Sequence, residues 1–208
     1  VNDYHKYVFD VEQRKYVGEF EEMYRAEKEE FFDSWHQEDL RTLSKQFCLA
    51  ILAQYNFSRI LDVGCGKGTF THLLKRNNNH VVGIDISETA LKHARGKFPD
   101  IEFFRADLSC TEWSDDNQVL KRDYDLVVLM EILSYLRGWE EVIERLSKIT
   151  KFLLVSLFIP RNPIGFVKNT EDLVSALQRY FVIVENVQLV NRDTIILFGS
   201  SKPVTGGK

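Results

Sequence analysis

Cysteine is scarce in this chain: three in 208 residues, Cys48, Cys65 and Cys110, with no CxxC pair. An odd, sparse count does not build a disulfide framework and fits a reducing compartment, so a cytoplasmic location is expected. A basic excess is missing too. Lys and Arg number 27 against 31 Asp and Glu, giving a net charge of -4 and a pI near 5.8. That is not the broad positive footprint of a nucleic-acid-binding protein. No apolar run approaches the roughly 18 residues that cross a bilayer, and the opening VNDYHKYVFDVEQRKY is too polar for a signal peptide. Repeats and low-complexity stretches are absent. What remains is ordinary for a globular protein with a real core, 44% hydrophobic and 28% charged residues. The length suits one domain. The expectation is a monomer or homodimer with neither a nucleic acid nor a membrane as partner.

Along the chain, two regimes are visible. Residues 1–56 are rich in charge and aromatics. Their apolar residues recur at helical spacing, first Val17, Phe20, Tyr24 and Phe31, then Leu40, Leu43, Phe47, Ile51 and Tyr55. This predicts an N-terminal helical cap of two or more helices, broken around 33–38. From residue 57 to 202 short apolar runs alternate with helical stretches. The strand candidates are RILDVG, HVVGID, IEFFRAD, YDLVVLM, KFLLVSLF, VIVENVQLV and TIILFGS, and Ser87 stands where a helix N-cap belongs. Continuous apolar strands separated by helices predict an α/β protein: a doubly wound, mostly parallel seven-stranded sheet. Only Asn191-Arg-Asp193 separates the last two strands. A connection that short joins antiparallel neighbours, so one strand near the C-terminus is reversed. Residues 203–208 read as a tail.

Two glycine patterns are incomplete. The stretch ILDVGCGKGTF, residues 60–70, has Leu61 where a phosphate-cradling GxxxxGK[ST] loop needs its first glycine, and Gly68 where it needs Ser or Thr. The dinucleotide fingerprint GxGxxG would need a glycine at Thr69, which leaves only weak support for NAD. Four acidic residues fit better. Asp62, Asp85, Asp107 and Glu131 lie at or just past the C-terminal ends of four successive strands. That edge of an open α/β sheet is where ligands bind. So much negative charge repels an anionic dinucleotide and suits a ligand with a ribose diol, an exocyclic amine and a cationic centre.

These residues carry a resemblance. From about 59 to 200 the chain resembles the class I S-adenosylmethionine-dependent methyltransferases: LDVGCGKGTF is similar to the family's first motif, GIDIS to its second, RADL to its third and YDLVVLMEILSYL to its fourth-strand segment. The resemblance implies S-adenosylmethionine as cofactor and S-adenosylhomocysteine as product. It implies that Gly64 and Gly66 approach the methionyl part, that Asp85 accepts from both ribose hydroxyls, that Ile86 packs against the adenine, and that Cys65 and Met130 also bind the cofactor. Asp107 would take the adenine amine and Leu108 would offer its backbone N–H. Asp62 would organise the loop, and Lys67 reads as a solvated loop lysine.

The acceptor is less legible. The [DN]PP[FYW] segment of base and glutamine methylation is missing after the fourth strand. The His of the E-x-L-x-H-L pattern found in small-molecule branches is replaced by Tyr135. A Tyr in this segment is similar to nodulation-type N-methyltransferases, which act on an amino sugar. The resemblance therefore implies a small-molecule acceptor with an N or O nucleophile, such as a sugar or natural-product intermediate. The alternatives are a protein acceptor or a non-catalytic subunit that only binds cofactor. Tyr135 would orient the acceptor or simply pack, and Glu131 would touch cofactor or orient Tyr135. His36 would be a base or a donor to a carbonyl, with Trp35 beside it in the wall. Arg161 and Lys168 would bind an acidic group on the substrate or remain surface charge. Arg41 or Lys45 would meet the cofactor's carboxylate. Tyr4, Tyr7, Phe9, Tyr16 and Tyr24 would roof the site or pack the cap. No metal ligands are assigned.

Overall fold

The structure is a computed structural model that describes residues 4–76, 78–109 and 118–202. Cys110 and the 203–208 tail lie outside the described residues. The core is a seven-stranded sheet. Its strands are β3 (Arg59–Val63), β4 (His80–Asp85), β5 (Glu102–Arg105), β6 (Tyr124–Met130), β7 (Thr150–Phe158), β8 (Phe181–Leu189) and β9 (Thr194–Ser201). They lie in the order β5-β4-β3-β6-β7-β9-β8. All pairings from β5 to β7 are parallel, and β9 runs antiparallel between β7 and β8. This is the expected doubly wound sheet with its one reversed strand.

Alternation along the central strands explains the two-faced core. On β6, Val127 and Leu129 point to one face with Leu61, Val63, Leu153 and Val155. That face is covered by α5 (Trp139–Ser147) and α6 (Thr170–Tyr180). Each helix presents an i, i+3, i+4 stripe: Trp139, Val142 and Ile143 on α5, and Leu173, Ala176 and Leu177 on α6. Leu126 and Val128 point the other way with Ile60, Leu154, Ile196 and Phe198. There α2 (Leu43–Leu52) and α3 (Thr69–Leu74) close the sheet. The fifth covering helix, α4 (Glu88–Lys97), packs Leu91 and Ala94 on Phe103 of β5. Ser87 caps it by accepting from the Ala90 N–H at 3.2 Å, a contact of about 1 kcal/mol.

The first 56 residues differ from the expectation in two ways. They do not start helical. A 3-10 turn (Tyr4–Tyr7) leads into a hairpin of β1 (Phe9–Asp10) and β2 (Lys15–Tyr16), and the first α-helix, α1, runs Phe20–Glu30. The hairpin closes on local chemistry that hydrophobic spacing does not report: Gln13 N–H donates to Asp10 Oδ1 at 2.8 Å and Arg14 is left-handed at φ 52°. The second difference is α2. Cys48, Ile51 and Leu52 sit in the sheet core, so this helix belongs to the covering layer and not to the cap.

Candidate active site

The chain winds from β3 outward through β4 and β5, then returns to place β6 beside β3. That reversal leaves a crevice at the C-terminal ends of the central strands. A cavity of about 1020 Å³ occupies it. Asp62 and Gly64 enter from β3, Asp85 and Ile86 from β4, Asp107 and Leu108 from beyond β5, and Met130 and Glu131 from β6. Cys65 also lines it, and Gly66 supplies the turn behind it.

That turn is built from backbone. Gly64 and Cys65 N–H groups both donate to the Ile84 carbonyl, at 2.8 and 2.9 Å. Gly66 N–H donates to Asp85 Oδ2 at 2.8 Å, while Asp85 Oδ1 accepts from Ser87 N–H at 2.9 Å. Gly64 has φ 71°, and a Cβ there would lie 2.6 Å from Ile132 Cδ1. Gly66 has φ 52°, and a Cβ there would strike Gln37 and the Tyr24 hydroxyl of the cap. Both positions therefore demand glycine, the second because of the cap as well as any ligand.

The carboxyl groups around this turn are short of positive charge. Burial pushes Asp62 up to about 7, the nearby Asp85 charge adds to this, and the hydroxyl of Thr71, donating at 2.7 Å, opposes it. Asp85 is raised by burial against the N–H groups of Ser87, Gly66 and Ile86. Glu131 is raised by burial against Phe158 N–H and Ser156. Between the ordinary value of 3.8 and about 7, the folded state holds an Asp62 proton that the unfolded chain has lost. This group's contribution to stability therefore falls as pH rises across that window. A cation beside Asp62 reverses the preference. Affinity for a cationic ligand is expected to rise from pH 6 to 8, roughly tenfold per unit of pH at most below the Asp62 pKa, with proton release at pH 7. Calorimetry in two buffers of different ionisation enthalpy reads that proton. Affinity independent of both pH and buffer would remove Asp62 from contact with the ligand's charge.

Opposite this polar floor the cavity is aromatic. Tyr135, in the 3-10 turn Leu133–Tyr135 after β6, meets Phe9, Phe20 and Trp35 with ring centroids 5.7, 5.3 and 6.0 Å away. Burial, with the Glu131 charge behind it, lifts the Tyr135 phenol far above its ordinary value against a hydrogen bond from Trp35. It therefore stays neutral. Tyr4, Tyr16 and Tyr24 also line the cavity, whereas Tyr7 only packs the cap. Trp35 and His36 are consecutive left-handed residues at φ 52° and 47°, each costing about 1–3 kcal/mol. Lys45 holds the chain that follows Trp35: its Nζ donates to the carbonyls of His36, Gln37 and Asp39 at 2.8, 3.0 and 3.0 Å.

Several expected roles fail on placement. Lys45 is occupied by those three carbonyls, and Arg41 pairs with Asp39 at the surface. His36 stands exposed at the rim. Glu131, left-handed at φ 59°, turns its carboxylate back to Ser156 Oγ and Phe158 N–H at 2.8 and 2.6 Å. It acts on Tyr135 through charge and not through a hydrogen bond. Arg161 and Lys168 are exposed and line no part of the cavity. The loop turns its intervening residues inward instead, with Ile164 and Phe166 in the wall. Arg14 of the hairpin donates to Asn162 Oδ1 at 2.8 Å, and Tyr16 meets Phe166 at 5.2 Å, so hairpin and loop roof the cavity together.

The largest departure is Lys67. It is not a solvated lysine but 6% exposed, ion-paired with Glu27 and, at 2.7 Å, with Asp33. Glu27 is further satisfied by the Ser34 hydroxyl at 2.5 Å. Burial works against the Lys67 charge, but the hydrogen bonds it donates to both carboxylates outweigh it and hold its pKa above the ordinary lysine value. Removing one member of such a buried group leaves an uncompensated charge, a loss of about 3–5 kcal/mol.

A family described as a methyltransferase domain matches residues 61–151, from within β3 to the second residue of β7. Over that stretch the chain is similar to the class I S-adenosylmethionine-dependent methyltransferases. Among relatives, it is 33% identical over 92 residues to the ubiquinone biosynthesis O-methyltransferase of Hydrogenovibrio crunogenus, covering 44% of this chain and 38% of that one. It is 33% identical over 111 residues to the trans-aconitate 2-methyltransferase of Variovorax paradoxus, covering 52% and 40%. The chain thus spans well under half the length of these relatives. Among solved structures, the methyltransferase fold superimposes with TM-score 0.68 on the N-methyltransferase NodS of Bradyrhizobium japonicum in complex with S-adenosylhomocysteine. That match has 20% identity and covers 86% of this chain and 98% of that one. Such a likeness shows the fold. The methyltransferase residues found here fit a cationic nucleoside on their own account: a backbone turn without side chains, facing buried carboxyl groups held above their ordinary pKa.

Proposed function

We propose that this chain transfers a methyl group from S-adenosylmethionine to an N or O nucleophile of a small molecule and releases S-adenosylhomocysteine. The observation that carries the reading is one continuous cavity whose floor is the glycine turn with its carboxylates and whose far wall is an aromatic chamber. At about 1020 Å³ it stands at the upper end of the range for a single drug-sized ligand, which suits a cofactor and an acceptor together. The roof of hairpin and loop favours a small acceptor over a protein chain, which needs an open groove.

S-Adenosylmethionine, when bound, supplies an electrophilic methyl on a positively charged sulfur. The chain's residues do the rest. Asp85 offers its remaining acceptor capacity to the ribose hydroxyls. Ile86 and Met130 pack the adenine, Asp107 accepts its amine, and Leu108 offers its N–H. Asp62 and the Gly64–Gly66 turn face the methionyl end. Trp35, Phe9 and Phe20 exclude water from the transfer line. The neutral Tyr135 hydroxyl holds the acceptor's nucleophile in line, and being protonated it positions the nucleophile without serving as base.

The test is calorimetric titration with S-adenosylmethionine, S-adenosylhomocysteine and NAD, followed by transfer of labelled methyl to a panel of small amines, hydroxyls and carboxylates. Binding of the two sulfur compounds and not NAD, with transfer to a panel member, is the expected result. Tyr135→Phe should then lower kcat roughly 100-fold, the scale of a misplaced reacting group, with cofactor affinity unchanged. Binding of NAD alone would overturn the cofactor, and sulfur-compound binding with no transfer across the panel would favour a non-catalytic subunit.

A further inference from the structure

We propose that Lys67 is a positioning residue for the acceptor chamber: from inside the glycine turn it holds the Asp33–Gln37 segment, and with it the Trp35 ring, against Tyr135. The inference rests on the reading above that the aromatic chamber receives the acceptor.

Lys67 lies between Gly66 and Gly68, the most constrained backbone of the floor. Its side chain nevertheless points away from the cavity, into the cap. Its Nζ reaches Glu27 on α1 and Asp33 at the start of the 3-10 turn Ser34–His36. Its backbone N–H donates to Gln37 Oε1 at 2.9 Å, and Gln37 Nε2 donates in turn to the Tyr24 hydroxyl at 2.8 Å. One residue of the floor therefore grips both ends of a five-residue segment. Trp35 is the middle of that segment. Its left-handed backbone is one the chain does not adopt unaided, and Lys45 fixes only the carbonyls that follow it. The ring faces Tyr135, Phe20 and Tyr4, at 6.0, 6.0 and 5.5 Å.

A second tie shows that the linkage runs through the floor. Gly66 N–H is held by Asp85, and Asp85 holds Ser87 N–H. Ser87 and Thr89 hydroxyls both donate to Glu21 on α1, at 2.6 Å each. The helix that carries Glu27 is thus fastened to the glycine turn and to the end of β4. Whatever orders those two elements also sets the distance between Trp35 and Tyr135. Lys67 does not itself line the cavity, so its effect on the acceptor passes through the segment that carries Trp35.

The test reads Trp35 directly in ligand-free protein. Its fluorescence is isolated as the difference between each protein and the same protein carrying Trp35→Phe, and its shielding is measured by acrylamide quenching. Wild type should be shielded. Lys67→Met should raise quenching of the Trp35 signal several-fold, and Lys67→Arg, which keeps the charge, should restore most of the shielding. Asp33→Asn leaves the Lys67–Glu27 pair in place and loosens only the segment. It should give an intermediate value, and it decides the matter if Lys67→Met does not fold. Shielding equal to wild type in the folded variants would overturn the proposal. S-Adenosylhomocysteine added to wild type serves as a separate arm. Failure of that ligand to bind, with the Lys67 effect present, would remove the cofactor assignment while leaving the positioning role intact.

Discussion

Asp85→Ala is expected to weaken S-adenosylhomocysteine binding by about 2–4 kcal/mol, roughly 30- to 1000-fold, through loss of two hydrogen bonds to a charged group. The carboxylate is set for this by backbone partners, among them the N–H groups of Gly66 and Ser87, one on each oxygen. These fix both oxygens, and a carboxylate has acceptor capacity beyond them for the ribose hydroxyls. The same contacts mean that alanine also frees the glycine turn, so the variant confounds ribose binding with loop order. Asp85→Asn separates them. It keeps one oxygen for a backbone N–H and loses the second acceptor, so its affinity should fall nearly as far while its melting temperature stays closer to wild type. Calorimetry with thermal denaturation of both variants checks this. Wild-type affinity in Asp85→Ala would place the ribose elsewhere.

Gly64→Ala is the second large effect. A left-handed alanine costs about 1–2 kcal/mol, which in a chain of this size lowers the melting temperature by roughly 2–8 °C. The new methyl would also stand 2.6 Å from Ile132 Cδ1 and 3.2 Å from Ile132 Cβ. Ile132 lines the cavity, so its displacement carries the strain into the site. Affinity for S-adenosylhomocysteine should drop more than roughly tenfold, about 1.4 kcal/mol. Adding Ile132→Ala relieves the collision but not the φ, so the double variant should recover affinity more than stability. If Gly64→Ala binds as wild type does, the turn does not approach the ligand.

The sheet was legible because its signal is local. Each strand from RILDV to TIILFGS is bounded by turn residues or a capped helix, and Ser87 announces α4 by its own side chain. The three-residue link 191–193 revealed the reversed strand for the same reason. The acidic strand ends were legible because β-strand length places each at one edge. The cap's chemistry was not. Lys67 meets Glu27 and Asp33 at separations of 40 and 34 residues, and nothing near Lys67 predicts burial. Arg14 and Asn162 are 148 residues apart. Arg161 and Lys168 flank a loop whose inward face is decided by Phe166 N–H donating to the Ser134 carbonyl at 2.8 Å, a contact that spacing within the loop does not encode. The helix α2 misled for another reason. Its apolar stripe states that it packs, but not whether against the sheet or the cap.

The placement of β9 between β7 and β8 has a bearing on how the chain is made. β8 leaves the ribosome before β9, yet among the core strands it pairs with β9 alone. A nascent chain that has emerged only to Leu189 holds a finished strand with no neighbour to receive it, and β7 is bare along the edge that β9 will fill. The two must dock together, as a hairpin that zips onto β7 with its later strand innermost. A chain cut between Leu189 and Thr194 therefore loses two strands of the sheet and not one, and leaves Leu153, Leu154 and Val155 of β7 on an open edge.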